Sequence, residues 1–184
     1  MAIKTYKKGV NTRLSKNFVS TEFDCHGRGC CSQTKIDDKL IEYLQQIADH
    51  FGKPVLVRKH SGYRCPKHNA AVGGAKGSKH LYGMAADFSI KGVAPAEIAK
   101  YAESIGILGI GLYETAKDGF FVHIDTRTEK SFWYGKAQQH RDTFGGAPEK
   151  PKLASYKVGP VSAGDAEKIK ALAAELQVPC VAMD

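Results

Sequence analysis

Two histidines and an aspartate are the residues of this chain best suited to hold a catalytic metal: His80, Asp87 seven positions later, and His123. Zinc takes borderline-soft nitrogen, oxygen or sulfur donors in a tetrahedron, and a catalytic zinc keeps three protein ligands and a fourth position for water. His80, Asp87 and His123 supply that set. Spacing alone selects them weakly, because the chain holds seven histidines and 19 acidic residues. Their surroundings select them better. His80 follows a glycine-rich loop, and Asp87 and His123 each open or occupy an apolar β-type run, so one loop and two neighbouring strands can converge on a point. Apolar neighbours on both sides of Asp87 argue against a simple turn cap, since an ionised carboxylate there needs a cation or a buried partner.

A second group of metal-ligating types is Cys25-His26-Gly27-Arg28-Gly29-Cys30-Cys31. Five cysteines (Cys25, Cys30, Cys31, Cys65 and Cys180) leave one over in any intramolecular disulfide scheme. The cluster admits either a second zinc site or a loop closed by a local disulfide or left as thiols. The paired Cys-x-x-Cys spacing of most structural zinc sites is missing, which favours the loop.

The elements that must position these residues can be read from periodicity. Ile36, Leu40, Leu44, Ile47, Ala48 and Phe51 have the three-and-four spacing of an amphipathic helix over 36–51, closed by Gly52. Pro54-Val55-Leu56-Val57 is a short strand, and Ser61-Gly62-Tyr63-Arg64 the turn after it. Asn69 to Ser78, rich in small residues, reads as a loop whose glycines allow tight passage past a site. Ala85 to Ile90 reads as a strand with Asp87 near its start, and Ala96 to Ser104 as a helix led by Pro95. Ile107 to Leu112 and Phe120 to Ile124 form an expected antiparallel hairpin with His123 on its second strand. The fold class is therefore α+β: a small antiparallel sheet carrying the zinc site, flanked by helices, with a short C-terminal appendage. A core domain over 1–145, a linker over 146–155 and a segment over 156–184 follow from the shift to Gln, Gly, Pro and Lys after Ala137. The segment holds a strand-like Tyr156-Lys157-Val158 and an amphipathic helix near Gly164 to Leu176.

Composition sets outer limits. Hydrophobic residues at 42% and charged residues at 25% are globular values. No apolar run reaches the roughly 18 residues of a spanning helix, and the polar, basic start lacks a signal-peptide core, so the expectation is synthesis in the cytoplasm and no membrane partner. A net charge of +8 suits polyanions, but the Lys and Arg residues are scattered, which sets nucleic acid aside as a partner.

Ser78-Lys79-His80-Leu81-Tyr82-Gly83-Met84-Ala85-Ala86-Asp87 fits the pattern Ser-x-His-x-x-Gly-x-Ala-x-Asp, and Phe121-Val122-His123-Ile124-Asp125 fits its downstream partner. Together they resemble the zinc D-Ala-D-Ala carboxypeptidase family, grouped with lysostaphin-type peptidases and the hedgehog signalling domain. The resemblance extends upstream through Phe18 to Phe23, Gly52 to Val55 and Ser61 to Pro66. It implies one zinc per chain on His80, Asp87 and His123, and a Lewis-acid attack of water on a peptide carbonyl. It also implies that Arg64 and Ser78 hold a substrate carboxylate or backbone oxygens; a structural salt bridge is the plainer reading of Arg64.

One position departs from the family pattern. Its better-known members carry Glu, Asp or His three residues before the last ligand as general base, and Phe120 stands there. Asp125, two residues beyond His123 and on the same face of an extended strand, is the expected base, with Asp118 and Glu114 in reserve; paired with Arg127 it would instead support the ligands. The function expected from the resemblance is hydrolysis of peptide bonds in peptidoglycan stem peptides or cross-links, by an endopeptidase or carboxypeptidase of the endolysin kind acting on the wall after release or lysis. A non-catalytic zinc-containing wall-binding module is the alternative, and Phe120 is its support.

Overall fold

The structure, a computed structural model, describes residues 2–117 and 119–145. Along the chain lie β1 (Ile3–Lys7), β2 (Gln33–Asp37), α1 (Asp38–Phe51), β3 (Val55–Val57), α2 (Pro66–Ala71), β4 (Ala85–Ile90), α3 (Pro95–Ser104), β5 (Gly109–Tyr113), β6 (Phe121–Asp125), β7 (Ser131–Tyr134) and β8 (Gln139–Arg141). Single 3-10 turns occupy Ser20–Phe23 and Lys79–Tyr82. The class is α+β, as the sequence implies. Six strands make one sheet in the order β3-β4-β6-β5-β7-β8, and β1 and β2 form a separate antiparallel pair. The main sheet is mixed, because β5 and β7 run parallel while its other neighbours are antiparallel.

Alternation along the strands sorts residues to two faces. Ala86, Phe88, Ile110, Val122 and Ile124 are fully buried and join Leu44, Ile47 and Ile98 of α1 and α3 in the core. Asp87, His123 and Asp125 occupy the intervening positions and so lie on the opposite face. α1 and α3 cover one side of the sheet and leave the other for the site.

The hairpin, the β4 strand and the α3 helix form where periodicity put them. The first helix begins later than expected. Ile36 is a strand residue paired with Lys4, and Asp37 caps α1 by accepting from the Lys39 amide at 3.1 Å. The expected loop over 69–78 also starts late, since Asn69 to Ala71 end α2. The linker from 146 and the segment from 156 lie outside the described residues.

Candidate active site

Asp87 and His123 face each other directly across the β4–β6 ladder. His80 arrives from the Lys79–Tyr82 turn, whose backbone ties to the strand region where the Met84 amide meets the Lys79 carbonyl at 3.1 Å. The three side chains meet at one point. His123 Nδ1 lies 2.7 Å from Asp87 Oδ1 and 3.3 Å from His80 Nε2, and His80 Nε2 lies 3.4 Å from Asp87 Oδ1. Donors held about 2.0–2.1 Å from a tetrahedral centre stand about 3.3 Å apart, so two of the three edges already match a zinc site. The shorter edge is an imidazole–carboxylate hydrogen bond.

The far nitrogens decide which lone pairs are free. His80 Nδ1 is 2.8 Å from the Gly62 carbonyl, which can only accept, so Nδ1 carries the hydrogen and Nε2 presents a lone pair. His123 Nε2 is 3.0 Å from Asp125 Oδ2, which likewise takes its hydrogen and leaves Nδ1 for a metal. Burial lowers the pKa of His80 against the pull of Asp87, keeping it neutral and able to ligate. Burial also disfavours charge on His123, but hydrogen bonds to Asp125 and Asp87 outweigh it and lift that pKa to about 9. Asp87 is pressed upward by burial, yet the His80 and His123 imidazoles hold its carboxyl well below the usual carboxylate range. Without a metal, a proton sits where the cation would.

Asp125 stands behind His123 and not in front of the donor atoms. It is fully buried, binds Arg127 through Nε (2.8 Å) and Nη2 (2.6 Å), and accepts the Arg127 amide at 3.1 Å. The alternation that placed it on the His123 face is correct, but its oxygens are committed to the imidazole and the guanidinium. Those contacts include the Arg127 pairing under which the sequence reading gives Asp125 a supporting place. Among the other residues considered, Asp118 lies outside the described residues, and Phe120 is exposed at 54% with φ 45°.

Three residues behind the site were not singled out from sequence. Trp133 on β7 packs its ring 5.0 Å from that of His123 and donates Nε1–H to Tyr113 Oη at 2.9 Å. Gly109 and Gly111 on β5 pair with Asp125 and His123. A Cβ on Gly109 would fall inside the Asp125 carboxylate, and one on Gly111 would meet the Trp133 ring at 2.5 Å. The Gly-x-Gly interruption of an apolar strand was the available signal.

A cavity of about 730 Å³ opens over the donors. Arg64 and Ser78 line it together, with Arg64 Nη2 donating to Ser78 Oγ at 3.3 Å. Arg64 Nε is buried without a hydrogen-bond partner among the described residues. Burial lowers its pKa from the ordinary value against the field of Asp87. Lys79, Arg127 and Lys136 also line the cavity, so its wall carries more positive than negative charge among the described residues. The glycine-rich rim is held by Asn69, whose Nδ2 donates to the carbonyls of Gly74 (3.1 Å) and Ala75 (3.0 Å).

A sheet face presenting two imidazoles and a carboxylate to an open cleft is the donor arrangement of hydrolytic metal sites. The Peptidase M15 family model matches residues 13–125, more than half of the chain, and the chain belongs to that family. It is 38% identical over 96 residues to peptidoglycan L,D-endopeptidase MepK of Escherichia coli (strain K12), covering 50% of this chain and 51% of that protein. It is 33% identical over 107 residues to the probable peptidoglycan L,D-endopeptidase MepK of Haemophilus influenzae, covering 55% of each. The chain thus spans about half the length of the curated relatives it matches.

Proposed function

We propose that this chain is a zinc-dependent endopeptidase of bacterial peptidoglycan, cutting a bond between an L- and a D-residue of the stem peptides. The observation that carries the reading is the convergence of His80 Nε2, Asp87 Oδ1 and His123 Nδ1, with each imidazole's other nitrogen tied back to an acceptor. Zinc held there supplies Lewis acidity toward a peptide carbonyl and lowers the pKa of a water to near neutrality. Membership of a peptidase family and the names of the relatives support the substrate class.

The chain's own residues do the rest. Arg64 and Ser78, side by side on the wall of the cleft, grip a carboxylate of the stem peptide. The cationic wall draws an acidic peptide into the cleft. Asp125, clamped by Arg127, keeps the His123 hydrogen on Nε2 so that Nδ1 faces the donor set. A second reading, a metal-holding wall-binding module without catalysis, draws on Phe120 in place of an acid–base residue. Turbidity of a purified cell-wall suspension separates the two. Clearing that stops with chelator and returns with zinc supports the peptidase; binding to the walls with no clearing at any zinc level supports the module.

A further inference from the structure

Away from the cleft, the sulfurs of Cys25, Cys30, Cys31 and Cys65 gather so that all lie within 4.8 Å of one another. Cys25 and Cys30 Sγ are 3.4 Å apart, and Cys30 and Cys31 Sγ 3.7 Å. A tetrahedral zinc with Zn–S of about 2.3 Å sets its sulfurs about 3.8 Å apart, whereas a disulfide needs about 2.05 Å. We propose that these four cysteines form a second, structural zinc site.

The backbone is arranged for sulfur ligands. The Cys65 amide points at Cys25 Sγ and the His68 amide at Cys65 Sγ, each at 3.4 Å, so N–H donors face sulfurs as they do around metal thiolates. His68 Nδ1 approaches Cys25 Sγ at 3.1 Å, and its Nε2 meets His60 Nδ1 at 3.0 Å, which fixes the ring beside the cluster. Gly27 permits the fold-back of the loop, because a Cβ there would meet Cys30 Sγ at 2.5 Å. The missing Cys-x-x-Cys signature is explained by topology. Three ligands come from the 25–31 loop and the fourth from the residue capping α2, 34 positions beyond Cys31.

Four sulfurs and no open position make a closed, structural site rather than a catalytic one. Its place gives it a task. Cys65 follows Arg64, whose amide bonds the His80 carbonyl at 3.0 Å, and the Tyr63 amide bonds the Phe23 carbonyl at 2.8 Å. A metal joining the 25–31 loop to Cys65 therefore staples the N-terminal segment to the backbone that carries Arg64 and backs His80.

The test uses the full chain purified under reducing conditions with zinc. Elemental analysis of the double variant His80→Ala/His123→Ala, which lacks the cleft ligands, is expected to find about one zinc per folded chain, as for a closed mononuclear site. Cobalt substituted into that variant should show thiolate-to-metal charge transfer in the near ultraviolet. Cys65→Ser is expected to lose this ion while the cleft ligands remain; should Cys65→Ser fail to fold, the cobalt spectrum of the double variant decides. A folded double variant free of zinc, an ion other than zinc such as iron, rapid alkylation of these thiols in the native zinc-supplemented chain, or a disulfide among them would each overturn the proposal.

Discussion

His123 carries a hydrogen-bonding carboxylate at each of its nitrogens, Asp87 at Nδ1 and Asp125 at Nε2, and this determines how the site responds to protons and metal. In the metal-free chain its pKa rises from the ordinary 6.5 to about 9, so between those values the folded chain holds a proton that the unfolded chain has released. That contribution to stability is complete below 6.5 and is lost as the pH climbs through about 9. Asp125 is shifted the other way: burial opposes its charge, but His123 and Arg127 depress its pKa below the ordinary 3.8, so its share is present above that value and lost on acidification. Thermal unfolding of the chelated protein should therefore show a melting temperature that falls from about pH 6.5 to about 9, and zinc should flatten the slope by replacing the proton. Asp125→Asn separates support from proton transfer. We expect zinc affinity to fall about 10–100-fold, with most activity recovered at saturating zinc, as for other residues that orient ligands. A large loss of turnover that persists with the metal site filled would return Asp125 to the role of base. The sequence named all three converging donors, because their types and flanks carry the chemistry. It could not tell the front of His123 from its back, since strand alternation fixes a face and not which ring nitrogen a neighbour meets.

Elements position the site through close approaches that periodicity does not encode. β4 and β6 were legible because Ala85 to Ile90 and Phe121 to Asp125 alternate or run apolar. β1 is almost wholly exposed and β8 entirely so, leaving no buried face to mark either as a strand. The start of α1 was misplaced because Ile36 continues the helical spacing by coincidence, while Asp37, buried and bonded by Thr126 Oγ1 at 2.6 Å, is the true boundary. β5 has the sharpest requirement, since only glycine leaves room for the Asp125 carboxylate. Gly109→Ala should destabilise the protein by about 1–3 kcal/mol, the usual cost of overpacking, and weaken zinc binding by displacing Asp125. Denaturant unfolding and zinc titration of the variant measure both effects. A Gly109→Ala protein as stable as the parent would mean that the carboxylate has room to move.

At the scale of the whole molecule, a helix-covered sheet leaves one face open, and the cleft on that face gathers Arg64, Lys79, Arg127 and Lys136 from the chain's positive excess. Charge counted along the sequence gave the sign of the excess but not where it gathers, because the residues are scattered until the sheet assembles them. The family relationship places the chain among peptidases, and the donor geometry places three candidate metal ligands at the centre of the proposed chemistry. The most direct measurement is mass spectrometry of fragments from a defined peptidoglycan incubated with the purified chain, with metal content determined on the same preparation. The account predicts new peptide ends at an L,D-bond, their disappearance after chelation, their return with zinc, and no cleavage by His80→Ala or His123→Ala. Unchanged fragments from a preparation shown to be free of metal, or intact peptidoglycan from one with the cleft site fully loaded, would contradict it.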